Sequence, residues 1–183
     1  HDLRQHLNLI EHYLQSGKTE DLKAYIEQYR MTLPPDTART WCENYAVNTV
    51  ISYYGEEARK ASVDFSVRIQ LPSSLPLREP ELCSIFGNLL ENAYTAADHA
   101  LPGNRSITVR LAVHGNMLVI TIDNGFDGNV NKKRDHYLST KVSHTGYGLR
   151  SIRHICDTHG GNCSFSHDTD CFHSSAVIAI DPD

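Results

Sequence analysis

Asn88 and Asn92 stand four residues apart in Asn88-Leu89-Leu90-Glu91-Asn92-Ala93, so on a helix their amides share one face. Ser84, Glu91 and Thr95 extend that polar stripe. An amide donates and accepts hydrogen bonds, but it takes no proton at neutral pH. Taken alone, the stripe is equally that of a core helix whose asparagines face water. Downstream, Asp123-Asn124-Gly125 ends an apolar run, a combination that by itself also reads as a strand-ending turn. Gly146-Tyr147-Gly148-Leu149 opens a further helix, whose N-terminus is a natural site for an anion. At the start of the chain, His1 is followed by Asp2. A neutral imidazole is a competent nucleophile, and a neighbouring carboxylate can orient it or accept its proton.

The elements that must position these residues follow from periodicity. Leu82, Ile85, Phe86, Leu89, Leu90, Ala93 and Ala97 recur at helical spacing opposite the amides. Pro80 suits that helix's first turn, and Pro102-Gly103 closes it. Residues 1–15 form a helix with the apolar stripe Leu3, Leu7, Ile10 and Leu14. Ser16–Thr19 turn it into a second helix carrying Leu22, Tyr25, Ile26 and Tyr29. This hairpin, residues 1–33, exposes more apolar surface than it can bury alone, so it is expected to pack on a copy of itself. Residues 34–40, with two prolines, form a linker. The domain 41–183 begins with a helix over 41–61, with Tyr45, Val47, Val50, Ile51, Tyr54 and Ala58 inward. A strand follows at 63–71. Strands at 107–113 and 117–123 make a hairpin. Residues 125–145 show no periodicity and read as a long polar loop, a helix spans 147–159, and 162–167 with 173–180 form a last hairpin. Helices on one face of a mixed sheet give an α/β sandwich preceded by a short helical hairpin.

The chain has 183 residues, is 40% hydrophobic and 21% charged, and carries a net charge of −5. That is enough for one good core, and it offers no general attraction to nucleic acid or an acidic membrane. No apolar run is long enough to span a bilayer. The chain begins inside what reads as a helix. The expectation is therefore a cytoplasmic part of a longer, membrane-bound receptor. The five cysteines are odd in number, widely spaced and without a C-x-x-C, which suggests reduced thiols.

An asparagine helix, a strand ending in Asp-x-Gly, a long polar loop and Gly-x-Gly-Leu, in this order over about residues 40–181, resemble the ATP-binding domain of histidine kinases. These belong to the GHKL superfamily with the gyrase-type ATPases and Hsp90, and the resemblance implies their Bergerat-type ATP-binding fold. It implies that Asp123 accepts a hydrogen bond from the adenine amino group and that Gly125 lets the base lie against the backbone. It implies that the Asn92 amide oxygen binds Mg²⁺, and that Gly146 and Gly148, with Leu149 behind them, let the backbone approach the triphosphate. Asn88 stands where the hydrolytic relatives resemble one another in a water-activating glutamate, so the site looks poor at hydrolysis. Glu91 could assist a proton or orient metal-bound water. Thr95 stands where many histidine kinases carry a lysine, so phosphate contacts fall to Lys141 and Arg105. His1-Asp2-Leu3-Arg4-Gln5 resembles the phosphoacceptor box, in a version most like the peptide-pheromone receptor kinases of Gram-positive bacteria. The implied activity is ATP- and Mg²⁺-dependent phosphorylation of His1, then transfer to an aspartate of a response regulator of LytTR type, with homodimerisation through the hairpin. Two alternatives stay open: a degenerate ATP-binding module that dimerises and binds a partner, and an anti-sigma-type serine kinase. The first thirty residues argue against the latter, because such proteins lack a phosphoacceptor hairpin.

Overall fold

Two helices, α1 (Asp2–Gln15) and α2 (Thr19–Thr32), make the first part of the chain. The computed structural model describes residues 2–32, 40–129, 131–133, 136–138 and 147–180. They fall into two units, one within His1–Ala38 and one within Arg39–Asp183. In the first, the N–H of Lys18 bonds the Tyr13 carbonyl at 3.0 Å and that of Gly17 bonds Leu14 at 3.2 Å. This pattern ends a helix on a left-handed residue, and Gly17 supplies it with φ of 64°. Leu22 is buried and the Tyr13 and Tyr25 rings lie 5.9 Å apart, whereas Leu14 and Ile26 are exposed.

The second unit begins with α3 (Tyr45–Lys60), four residues later than the periodicity predicts. The Asn44 side chain caps Val47 N at 3.1 Å, and Asn48 Oδ1 accepts from Trp41 N at 2.7 Å and Cys42 N at 3.4 Å, so the preceding residues are held outside the helix. Val47, Ile51 and Ala58 are buried as expected. Tyr45 is not: it shares its stripe with Thr49 and Tyr53 and faces solvent. Then come β1 (Asp64–Gln70), α4 (Glu79–His99), β2 (Ser106–His114), β3 (Met117–Gly125), β4 (Asn131–Lys133), β5 (His136–Leu138), α5 (Tyr147–Thr158), β6 (Asn162–His167) and β7 (Cys171–Ala179).

Five strands form one mixed sheet in the order β1-β2-β3-β7-β6, with β1 and β2 parallel and the other neighbours antiparallel. The apolar face of the sheet carries Val109 and Leu111 on β2, Leu118, Ile120 and Ile122 on β3, and Ala176 and Ile178 on β7. All are packed in one core with Phe86, Leu89 and Leu90 of α4, Ile51 of α3 and Ile152 of α5. The seven apolar residues predicted for α4 are all buried. This is the expected Bergerat-type α/β sandwich. Within the stretch read as a polar loop, β4 and β5 form a two-stranded ribbon, too short for any periodicity to announce it. No helix of the described residues is long and apolar enough to cross a membrane.

Candidate functional site

α4 and α5 meet along the amide stripe. A β-carbon built on Gly148 would stand 3.1 Å from Asn88 Oδ1 and 3.7 Å from Asn92 Nδ2. Three residues on, the hydroxyls of Ser151 and Ser84 lie 3.3 Å apart. Asn88 Nδ2 donates to the Ser84 carbonyl at 2.7 Å, which leaves Oδ1 as the atom turned towards Gly148. Residues 60 apart in sequence thus share one polar edge, with the Asn88 amide oxygen as a hard uncharged ligand atom and the Asn92 amide nitrogen beside the same glycine backbone. Leu149 packs against the core and anchors the start of α5.

Glu91 lies round the helix from Asn92, beside α3. Burial is the main cause that pushes the Tyr54 phenol up, and the Glu91 charge adds to it. Arg105 is bound to the far end of α4, donating to the Asp98 carboxylate and, at 3.0 Å, to the Asp98 carbonyl. The Thr95 carbonyl accepts from His99 Nδ1 at 2.7 Å. Lys141, Gly146 and His1 lie outside the described residues. Asp2 is the first residue of α1, and its side chain is outside them too.

At Asp123 the geometry departs from the expectation. Leu118, Ile120 and Ile122 alternate into the helix-facing core, and Asn124 continues that row at 2% exposure. Successive side chains on a strand point to opposite faces, so Asp123 lies on the open face, across the sheet from Asn88 and Asn92. There it accepts from Arg110 at 2.6 Å and pairs with His173 Nδ1 at 2.7 Å. Burial works to raise the Asp123 carboxyl, but the bonds from His173 and Arg110 outweigh it and hold it below its ordinary range. The same bond to Asp123 raises His173, against the opposing effect of desolvation.

Gly125 is required, but by a neighbour in the protein. A β-carbon there would fall 1.6 Å from the Asn104 carbonyl oxygen, an impossible approach. Asn104 in turn donates to the carbonyls of Phe126 at 3.3 Å and Asp170 at 2.6 Å, tying the α4–β2 connection to the ends of β3 and β7.

Two polar residues on the helix-facing side went unread in the sequence. Asn124 is paired in register with Ile107 and Phe172, and Ser174, 7% exposed, is paired with Ile122. The signal for Asn124 was available: extending the Leu118, Ile120, Ile122 alternation by one step selects it and rejects Asp123.

Comparison with known proteins fits this architecture. A family described as a GHKL domain matches residues 77–179, more than half of the chain. The sensor protein TdiS of Thauera aromatica is 25% identical over 130 residues, 67% of this chain and 24% of that protein, so the chain spans about a quarter of that relative's length. Among solved structures, a nucleotide-free catalytic domain of the histidine kinase ThkA superposes with a TM-score of 0.61 at 18% identity, over 76% of this chain and 95% of that one. The Acinetobacter baumannii histidine kinase AdeS gives 0.58 at 14% identity, over 100% of this chain and 98% of that one. The full-length ShkA in complex with AMPPNP gives 0.57 at 14% identity, over 80% of this chain and 32% of that one. These likenesses show the fold, and the family match shows the membership: the chain belongs to the GHKL domain family.

Proposed function

We propose that this chain is the catalytic core of a sensor histidine kinase, which transfers the γ-phosphoryl group of ATP to His1 and then to an aspartate of a response regulator. The observation that carries the reading is the meeting of Asn88 and Asn92 with Gly148 between α4 and α5. An amide oxygen and an amide N–H beside a side-chain-free backbone suit a polyphosphate and its hard cation, and a solved neighbour of the same fold holds AMPPNP.

Asn92, exposed and on the stripe, is the residue to hold Mg²⁺ through its amide oxygen, the phosphates and water completing the shell. The ion's chemistry is to neutralise charge on the triphosphate. Gly148 and Gly146 admit the phosphate oxygens to the backbone at the start of α5, and Lys141 adds a cation. A nitrogen of the His1 imidazole forms the N–P bond as the bond from the γ-phosphorus to the bridging oxygen breaks. ADP leaves, and Asp2 orients the ring and receives its proton. Asn88 offers no base to activate water. The short hairpin and the His1-Asp2 sequence favour a peptide-pheromone receptor kinase with a LytTR-type regulator. The apolar residues Leu14 and Ile26, exposed in the hairpin, favour homodimerisation through it.

The test is incubation of the protein with radiolabelled ATP and Mg²⁺ at neutral pH. The expected product is a phosphoramidate, labile in acid, stable in base and absent from His1→Gln. A label that survives acid, or persists in His1→Gln, overturns the reading.

A further inference from the structure

We infer that Ser84 and Ser151 are positioning residues for the polyphosphate edge: their hydroxyl pair sets how Asn88 and Gly148 face each other. The inference rests on the ATP-binding reading above and goes beyond it, to groups that act on the site through another residue. Three contacts carry it. Asn88 Nδ2 donates to the Ser84 carbonyl at 2.7 Å and, more weakly, to the Ser84 hydroxyl at 3.4 Å. Ser84 Oγ lies 3.3 Å from Ser151 Oγ on α5. One turn before Ser151 on that helix, Gly148 comes so near Asn88 Oδ1 that an added β-carbon would stand 3.1 Å from it. The contacts close a ring, from Asn88 through Ser84 and Ser151 to Gly148 and back to Asn88.

This ring selects an orientation that packing leaves free. The oxygen and the NH2 of an amide are nearly the same size, so shape alone does not choose between them. The Ser84 carbonyl is an acceptor; it takes the NH2 and turns the oxygen towards Gly148. A flipped amide would set two oxygens against each other. A hydroxyl donates and accepts at once, so Ser84 Oγ takes a hydrogen from the amide and shares another with Ser151 Oγ. Beside the pair, the two helices are held by Ile85, Leu89 and Ile152, all in the core. Their burial is non-directional and does not align an amide. The hydroxyl pair is directional, and it joins α5 to α4 at the level where Gly148 meets Asn88. Ser84, Asn88 and Ser151 are all partly buried, where water competes less for these bonds than at an open surface.

The experiment has two arms. In calorimetric titration with a non-hydrolysable ATP analogue and Mg²⁺, Ser151→Ala should weaken binding by about fivefold, and Ser151→Thr, which keeps the hydroxyl, should recover most of it. In an Asn88→Ala background, Ser151→Ala should cost less than about twofold, because the group it acts through is gone. A residue that only adds stability would leave affinity unchanged in both backgrounds. In heteronuclear NMR, the Asn88 side-chain amide, assigned by its loss in Asn88→Ala, should shift and exchange faster with water in Ser151→Ala. Ser151→Cys, a weak donor of similar shape, takes the place of Ser151→Ala if that variant fails to fold. Unchanged affinity in Ser151→Ala, the same loss in both backgrounds, or an unmoved Asn88 amide signal overturns the inference while the kinase reading stands. Absence of nucleotide binding to the wild-type chain overturns the kinase reading and the inference with it.

Discussion

Asn88 Oδ1 lies 3.1 Å from where a β-carbon on Gly148 would stand, and this closeness lets α4 and α5 share a polar edge. Adding that carbon in Gly148→Ala forces the Asn88 amide to yield by a few tenths of an ångström while both helices stay. The expected cost in stability is about 1 kcal/mol. Affinity for an ATP analogue should fall by about tenfold or more, through lost backbone contacts to charged phosphate. Gly87→Ala is the matched control. It lies inside α4 with nothing within 4 Å of its added carbon, so it should stabilise by about 0.5–1 kcal/mol. Urea denaturation and calorimetry distinguish the two.

Ser62 holds a strained backbone at the end of α3, with φ of 55°. Ser62 N bonds the Arg59 carbonyl at 3.2 Å and Val63 N bonds Ala58 at 2.8 Å, the same helix-ending pattern that Gly17 completes after α1. A side chain pays a steric penalty in this region that glycine escapes. Ser62→Gly should therefore stabilise by about 0.5–1 kcal/mol, despite the greater freedom of its unfolded chain. The side chain is exposed, so no packing is lost. A lowered melting temperature in a thermal scan would refute the strain.

The pair Asp123–His173 joins β3 to β7 on the open sheet face and makes stability depend on pH at both ends. His173 titrates above its ordinary value near 6.5. Its contribution is fully present below that value and fades as pH rises through the raised one. Asp123 titrates below its ordinary value of 3.8, so its contribution is present above that value and fades as pH falls through the lowered one. In denaturation across pH, His173→Gln should remove the alkaline fall that begins near neutrality and leave much of the acid one, because Arg110 still binds Asp123. An unchanged alkaline limb would show that this pair does not govern it.

The architecture was legible because its signals are physical and long. α4 carries seven apolar residues on one face, and all seven reach the core. β2 alternates from Ser106 to Leu111 and β3 from Met117 to Asn124, and alternation determines which residues share a face. The same rule separates Asp123 from Asn124. Asp123-Asn124-Gly125 drew attention to its carboxylate, yet burial of Ile122 obliges Asp123 to face away and turns Asn124 inward. Gly125 has no room for a side chain, and the reason is the Asn104 carbonyl, twenty-one residues earlier. Such a contact between chain segments leaves no local pattern to read. Tyr45 was misplaced for a local reason, since the Asn44 and Asn48 side chains start the helix later than its apolar residues suggest.

Asn88 also makes a prediction about water. Its Nδ2 is bound to the Ser84 carbonyl at 2.7 Å, and its Oδ1 belongs to an amide that takes no proton at neutral pH. Position 88 therefore gives ATP held at this edge no base for an attacking water, so hydrolysis without a phosphoacceptor should run well below about 1 s⁻¹. Asn88→Glu supplies a carboxylate on the stripe beside Gly148. General-base assistance is worth on the order of 10²-fold or more when well placed. The variant loses the donor to Ser84, so a gain smaller than that is expected, on the order of tenfold. Asn88→Ala separates the two effects, since it removes the same donor and adds no base. Phosphate release should therefore rise in Asn88→Glu and stay at the wild-type level or below in Asn88→Ala. Equal rates in the two variants would mean that position 88 cannot reach an attacking water. A wild-type rate above 1 s⁻¹ would mean that a different residue supplies the base.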